Sequence, residues 1–276
     1  MCSPFISIVI PTYNRLLELA ELLQSLVNQT YHNFEVVIVN DAGKSVDEVV
    51  LLYPELACTI VNLPNNQHHV QARNVGVELS KGEYIMLIDD DDWIVPTHLE
   101  RMIEAIIGVD FVHSDVEIVN YKIEAGQRIP IDRKLFAYHN RLEDMKEFST
   151  FVPSGCLYRR SIHEVVGFFD KEMKHYWDWD FYLRVAGMFH VKRLPVASVI
   201  YNFSETSSNE SKNMDSMRIH LDRLSEKHQL GLLPTKNFRL LLEEPAMKKR
   251  EVKSERIWNG VGVISRLKRK SMDNEV

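Results

Sequence analysis

Gly82-Glu-Tyr-Ile-Met-Leu-Ile-Asp-Asp-Asp-Asp92 decides the fold. Tyr84 to Ile88 is an unbroken apolar run that ends on four carboxylates. Such a run reads as a strand buried on both faces, the habit of parallel sheets. Upstream, residues from about Val70 to Lys81 read as a helix with Gly82 as its stop. Before it stand a short strand, Thr59-Ile-Val61, and a weaker helix over about Val46 to Tyr53. Phe34-Glu-Val-Val-Ile-Val39 is another strand, closed by Asn40-Asp41-Ala42-Gly43. Leu16, Leu19, Leu22, Leu23, Leu26 and Val27 share one helical face, with Asn14 in N-cap position. Phe5 to Ile10, closed by Pro11, is the first strand. Downstream, Pro96 opens a helix and Val109 to His113 is a fifth strand. Strand and helix alternate with short connections. The class is therefore α/β, with a Rossmann-like, mostly parallel central sheet and helices on both faces.

Composition narrows the function. The chain has 276 residues, 45% of them apolar and 26% charged, so it can bury a sizeable core without metal or disulfide staples. Its 33 Lys plus Arg against 39 Asp plus Glu leave a formal charge of -6, which disfavours nucleic acid as a partner. Cys2, Cys58 and Cys156 are too few and too scattered for a disulfide framework. No apolar run reaches the roughly 18 to 20 residues of a membrane span. The Met-Cys-Ser-Pro start lacks the basic region of a signal peptide. These absences predict a cytoplasmic location.

In open α/β sheets, ligands bind outside the carboxyl ends of the strands. Three polar clusters converge there: Pro11-Thr12-Tyr13-Asn14-Arg15, Asn40-Asp41-Ala42-Gly43 and Asp89-Asp90-Asp91-Asp92. Four adjacent carboxylates against a buried strand repel one another and call for a cation or a basic partner. Hard oxygen donors suit Mg²⁺ or Mn²⁺, which keep other positions for water and phosphate oxygens. Neither GxGxxG nor GxxxxGK[ST] follows the first strand, which disfavours dehydrogenases and P-loop NTPases.

Beyond Val116 the alternation weakens. Residues 122 to 150 are polar, with Gly126 and Pro130, and read as a loop-rich insertion. Helices are expected over about 161–166, 179–187 and 214–228, and strands near 155–158, 190–193 and 198–202. Tyr201 to Ser211 is a polar stretch, read as a flexible loop or a lid near the diphosphate. Nine Lys or Arg and two Glu between Met247 and Lys270 give a net charge of +7, by nine minus two. Interspersed Ile257, Trp258, Val261, Val263, Ile264 and Leu267 leave two readings. Either the segment lies peripherally on an anionic membrane face, or it is a solvated tail or a helix packed on the catalytic domain. The expected domains are 1–230, with a nucleotide half to about 115 and an acceptor half from about 116, and a basic extension over 231–276.

Four motifs, in order, carry a resemblance: Ser7-Ile-Val-Ile-Pro-Thr-Tyr-Asn-Arg15, Val36-Val-Ile-Val-Asn-Asp41, Ala72-Arg-Asn-Val-Gly76 and residues 82–92. Together they resemble the family two glycosyltransferases, inverting nucleotide-sugar-dependent enzymes of the GT-A fold. The resemblance runs from residue 5 to about 203. It implies that Pro11, Thr12, Tyr13 and Arg15 line the nucleotide pocket, and that Asp41 accepts a hydrogen bond from uracil or thymine. Arg73 would lie beside the nucleotide or diphosphate. Asp89, Asp90 and Asp91 match the DxD region, with Asp91 the direct metal ligand and Asp89 or Asp90 facing ribose or metal. Asp92 would support the motif. Pro153-Ser-Gly-Cys-Leu-Tyr-Arg-Arg160 with Gly167-Phe-Phe-Asp170 resembles the acceptor-side segment. Trp177-Asp-Trp-Asp-Phe-Tyr-Leu-Arg184 resembles the "ED" region, with Trp177 in the place of the usual glutamate. The base role passes to Asp178, which also stands where a helix N-cap would, and Asp180 is the runner-up. The implied partners are a UDP- or dTDP-sugar donor and a glycan or lipid-linked sugar acceptor, in bacterial-type surface polysaccharide or glycoconjugate assembly.

The chemistry of the residues agrees. A departing diphosphate needs cationic stabilisation, and an attacking hydroxyl needs a positioned base. One acidic cluster and one later carboxylate supply the two. Competing classes are a nucleotidyltransferase, which wants a glycine-rich basic loop after the first strand, a phosphatase built on Asp89 and Asp91, and a non-catalytic nucleotide-sugar binding protein. His68-His69 reads as surface or pocket lip, since neighbours on a helix face different ways. Cys156 reads as a small buried residue. Trp177 and Trp179 either stack on an acceptor sugar or pack the core.

Overall fold

The computed structural model describes residues 5–124, 127–203, 214–236 and 238–273. The first half runs β1 (Ile6–Thr12), α1 (Leu16–Val27), β2 (Phe34–Asn40), α2 (Asp47–Val50), β3 (Cys58–Asn62), α3 (His68–Leu79), β4 (Tyr84–Leu87), β5 (Trp93–Ile94) and α4 (His98–Ala105). The second half adds β6 (Phe111–Glu124), β7 (Gln127–Phe136), α5 (Leu142–Met145), β8 (Cys156–Arg159), α6 (Ile162–Val166), α7 (Trp177–Ala186), β9 (Val191–Asn202) and α8 (Met214–His228). Then come α9 (Phe238–Leu242), α10 (Pro245–Lys248), β10 (Glu255–Arg256) and α11 (Arg266–Asp273). The strand order is β10-β9-β6-β8-β4-β1-β2-β3, with β5 on β9 and β7 on β6. Strands β1 to β4 are mutually parallel, as are β6, β9 and β10, and β8 enters antiparallel between β4 and β6.

Period-two burial explains the layers. Ile6, Ile8 and Ile10 of β1, with Val36 and Ile38 of β2, join Leu19, Leu22, Leu23 and Leu26 of α1 on one face. Val9 turns to the other face, where it packs with Val70 and Val77 of α3. β2 and β4 flank β1. The chain therefore leaves β1 in one direction through α1 and returns across it through α3 to β4. That reversal is a topological switch point, and it opens a crevice at the carboxyl ends of β1 and β4.

Close packing of α3 depends on Gly76. A Cβ there would sit 2.3 Å from Val9 Cγ1, inside the wall of a fully buried strand. Gly76→Ala is expected to destabilise the fold by about 1–3 kcal/mol through overpacking. A lower denaturant midpoint with an unchanged slope would show it; an unchanged midpoint would mean that the helix can move off the sheet freely.

Three expectations change. Residues 122–136 are not a loop-rich insertion: β6 runs on to Glu124 and pairs with β7 as an antiparallel hairpin, with Pro130 beside a register shift at Asn120/Tyr121. Asn14 is not the N-cap of α1, a place Arg15 takes; Asn14 is left-handed (φ 59°), and its side-chain oxygen accepts the Lys44 N–H at 2.9 Å. Pro96 lies two residues before α4 and not at its first turn. The polar stretch from Tyr201 to Ser211 lies outside the described residues from 204 onward.

The basic C-terminal segment packs on the sheet. β10 extends it beside β9, and α11 lies against α1. Arg266 donates to the Leu52 carbonyl at 2.7 Å and pairs with Glu55 at 2.6 Å. Ile257, Trp258, Val263 and Leu267 turn inward, while Val261 and Ile264 are exposed. Among the described residues no helix is long and apolar enough to cross a membrane.

Candidate active site

The three polar clusters meet at the crevice. Thr12, the last residue of β1, donates its hydroxyl to Asp90 Oδ2 at 2.7 Å. Arg15 Nη1, one turn later, reaches Asp90 Oδ1 at 3.2 Å and Asp91 Oδ2 at 2.7 Å. Arg73 of α3 is buried and pairs with Asp89. The acidic run therefore has basic partners of its own. They do not cancel the strain of packing like charges: burial, then the charge of Asp91, push Asp90 up to about 7 against Arg15 and Thr12. Burial also raises Asp91 and, with the charges of Asp91 and Asp89, raises Asp92 well above the usual carboxylate range.

Asp92 has a supporting role. It is buried, accepts the Ser154 hydroxyl at 2.5 Å and the Asn202 N–H at 3.1 Å, and so ties the acid turn to the residues before β8 and to the end of β9. Ser154 Oγ also accepts the Asp89 N–H at 3.2 Å. Ser154 lies in the acceptor-side motif and Asn202 in the polar stretch from Tyr201, but the sequence assigns neither of them this role.

A second corner of the crevice is built from β2 and the loop before α3. Asp41 is buried, its N–H donates to the Thr12 carbonyl at 2.9 Å, and its Oδ1 accepts the Gln67 N–H at 2.7 Å. Its second oxygen has no partner among the described residues. Gly43 permits the close turn: a Cβ there would lie 2.8 Å from the Asn14 nitrogen. Pro11 pairs with Val39 inside the sheet, and Tyr13 stands 49% exposed at the rim.

On the opposite wall stands the first turn of α7. Trp177 is buried with the Arg73 guanidinium 4.3 Å from its ring centroid, so one arginine touches Asp89 on one side and α7 on the other. His69 Nδ1 lies 2.6 Å from Arg73 Nη1, and Lys174 Nζ lies 2.9 Å from His68 Nε2, which makes the histidine pair a pocket lip. Trp179 donates its indole N–H to the Met145 carbonyl at 2.6 Å. Both tryptophans belong to the core.

Asp178 and Asp180 separate cleanly. Burial pushes half-buried Asp178 up to about 6, while backbone amides at the helix start and Arg73 pull it back and the charge of Asp89 adds to the rise. Asp180 is fully buried; it meets Arg184, one turn on in α7, at 2.9 Å and, on α8, His228 and Lys227 each at 2.8 Å. Burial opposes its ionisation, yet His228, Arg184 and Lys227 hold it down to about 2. It is a structural ion pair and has no free lone pair aimed at the crevice. Tyr201, the first residue of the polar stretch singled out in the sequence, faces the same space: burial, then the charges of Asp92, Asp91, Asp89 and Asp178, push its hydroxyl well above the phenol range. Asn14 (φ 59°), Ala42 (φ 60°), His68 (φ 67°) and Tyr176 (φ 60°) are left-handed, and each stands beside this crevice. Such outliers cost about 1–3 kcal/mol each and gather where a binding site fixes the backbone.

Residues 7–167 match the family model described as glycosyl transferase family 2. The chain belongs to that family. This family 2 chain is 56% identical over 265 residues to the uncharacterized glycosyltransferase YwdF of Bacillus subtilis (strain 168), covering 96% of this chain and 99% of that one. Among solved structures it resembles S. aureus TarS 1–349, with a TM-score of 0.60 at 22% identity over 80% of this chain and 65% of the other. TarS 1–349 in complex with UDP-GlcNAc gives 0.60 at 20% identity, over 89% and 78% of the two chains. The mannosyltransferase PcManGT of Pyrobaculum calidifontis, in complex with GDP-Man and Mn²⁺, gives 0.59 at 17% identity, over 85% and 67%. The fold is GT-A, and the family 2 chain is a glycosyltransferase.

A divalent metal here would need hard oxygen donors. Among the described residues no three or more His, Cys, Asp or Glu side chains converge on a metal-sized point. Asp91 has one oxygen on Arg15, and Asp89 has one on Arg73, which leaves one carboxylate oxygen on each without a side-chain partner among the described residues. Mg²⁺ and Mn²⁺ are commonly held by one or two carboxylates plus substrate phosphates, and this pair fits that mode.

Proposed function

We propose that the enzyme moves a sugar from a UDP- or dTDP-linked donor to an acceptor hydroxyl, with inversion at the anomeric carbon. One observation carries the reading: Arg73 bridges the acid turn to the first turn of α7, so the diphosphate side and Asp178 share one crevice. The donor class is supported by the solved relatives, which hold UDP-GlcNAc and GDP-Man. Asp41 offers its unpartnered oxygen to a base N–H, and Thr12 and Arg15 hold the acid turn beneath the diphosphate. Asp91, with Asp89, would hold Mg²⁺ or Mn²⁺, which when bound supplies charge to the leaving diphosphate. Asp178 takes the acceptor O–H proton as the oxygen bonds to the anomeric carbon. The bond to the diphosphate breaks, and its electron pair leaves with the nucleotide. One displacement inverts the centre. The family likeness favours a glycan or lipid-linked sugar as acceptor in surface polysaccharide or glycoconjugate assembly.

The test is calorimetry with UDP, dTDP, GDP and their sugars, each with Mn²⁺, Mg²⁺ or EDTA. Metal-dependent binding of a uridine or thymidine species is expected. Preference for a guanosine species would overturn the role of Asp41. Well-folded protein that binds no nucleotide under any condition would sink the reading.

A further inference from the structure

The acid turn continues directly into Trp93, and Trp93 is held from outside by the C-terminal segment. Trp93 is only 2% exposed, and it pairs with Ile200 on β9. Its ring lies 5.7 Å from that of Tyr121 and 6.4 Å from that of Trp258. Trp258 is itself buried and donates its indole N–H to the Val261 carbonyl at 2.9 Å. Arg133 of β7 fixes it from the far side: the guanidinium lies 4.5 Å from the ring centroid and donates to the Trp258 carbonyl at 3.0 Å. The same guanidinium holds the wholly buried Glu117 through bonds of 2.8 and 2.9 Å. A Cβ on Gly262 would lie 3.8 Å from the Trp93 ring and 3.4 Å from the Arg128 carbonyl, ordinary contact distances that place Gly262 against both. Arg128 in turn lies 5.8 Å from the Trp93 ring centroid and donates to the Asp91 carbonyl at 3.4 Å. Its other nitrogens face Glu18 at 3.7 Å and Glu21 at 3.4 Å.

We propose that residues 255–265 form the outer wall of the donor site, with Trp258 a positioning residue for the acid turn. The wall is anchored at both ends, by β10 on β9 and by the bond from the Arg266 N–H to the Tyr53 hydroxyl at 3.0 Å. Between the anchors, Trp258 blocks the outward movement of Trp93. Asp92 and Asp91 stand one and two residues before Trp93, so a shift of Trp93 moves them. Misplacement by about 1 Å at such a site can cost about a hundredfold in rate. The inference rests on the donor reading of the acid turn.

The experiment uses the full chain and compares Trp258→Ala, Trp258→Phe and Arg266→Ala. Affinity for UDP and dTDP with Mn²⁺, KM for donor and for acceptor, and Tm are read for each. Trp258→Ala is expected to weaken nucleotide binding and raise donor KM by about tenfold, with acceptor KM unchanged. Trp258→Phe restores most of the loss. Arg266→Ala removes the side-chain contacts to Leu52 and Glu55 but keeps the backbone bond to Tyr53, so it lowers Tm and leaves nucleotide affinity alone. Unaltered nucleotide affinity in Trp258→Ala, or an equal loss in Arg266→Ala, would overturn the proposal and leave the segment a stabilising strap. Should Trp258→Ala fail to fold, Trp258→Leu carries the same comparison. Wild-type protein that binds neither nucleotide overturns this proposal and the donor reading together; wild-type binding with a silent Trp258→Ala overturns this one alone.

Discussion

Asp178→Asn is expected to lower kcat by about 10²–10⁴-fold while leaving nucleotide affinity near wild type, because the carboxylate acts only on the acceptor proton. The amide keeps the shape and the polar contacts of the first turn of α7, so folding should survive. Asp180→Asn makes the contrast. Asp180 is fully buried among Arg184, Lys227 and His228, and breaking one partner of such a network costs about 3–5 kcal/mol. Its variant should unfold more readily, with kcat of the surviving native fraction near wild type. If Asp180→Asn folds well and loses turnover while Asp178→Asn turns over normally, the base has been assigned to the wrong carboxylate.

The same assignment fixes a pH profile. Asp178 must be ionised to accept a proton, and burial holds its carboxyl up at about 6. Turnover should therefore be flat above that value and fall as pH drops through it, tenfold per unit once the acid form dominates. Stability follows a different group. Asp180 is held down at about 2 against an ordinary 3.8, so its stabilising contribution is complete above the ordinary value and is lost as pH falls from there toward 2. A loss of kcat near pH 6 in protein that is still fully folded separates the two effects.

The nucleotide half was legible because its strands are buried on both faces, and Ile6–Ile10, Val36–Val39 and Tyr84–Ile88 advertise that by continuous apolar runs. The hairpin of β6 and β7 was not. Lys122, Glu124, Asp132 and Lys134 face outward on a ribbon with one partner, which thins the period-two signal, and Pro130 is tolerated because it sits at a register shift on an edge strand. Convergence of Thr12, Arg15, Asp41 and the acid turn could be read from strand ends alone; Arg73, inside α3, came only from the family resemblance. The division between Asp178 and Asp180 could not. Two residues along a helix are separated by about 200°, and only the packing of α7 decides which of them faces the crevice. Ser154, Asn202 and Tyr201 lie in stretches the sequence singled out, 153–160 and 201–211, but their meeting with the acid turn comes from long-range register that no local pattern shows. Arg15 and Arg73 answer a question that the four carboxylates posed: the cations that offset them come partly from the chain itself.

That answer sets the expectation for Asp91→Asn. The carboxamide oxygen can still accept from Arg15 Nη1, which meets Asp91 Oδ2 at 2.7 Å, so the turn should keep its shape. What disappears is one of two carboxylates with an oxygen to spare for a hard cation. Mn²⁺ should then no longer improve nucleotide binding, while the weaker binding measured in EDTA persists, because Asp41 and its Gln67 contact lie in a different corner. Turnover should fall by about 10²–10³-fold, the scale lost when a group that stabilises developing charge is removed. Asp92→Asn should behave otherwise: Asp92 is buried on the Ser154 hydroxyl and the Asn202 N–H, and its loss should appear mainly as a lower Tm. If Asp91→Asn retains the full Mn²⁺ enhancement, the metal is held elsewhere or the diphosphate is neutralised by Arg15 and Arg73 alone. A further loss of EDTA-resistant binding in Arg15→Ala would then favour the arginines, since Arg15 is the group that already bridges Asp90 and Asp91 in the crevice.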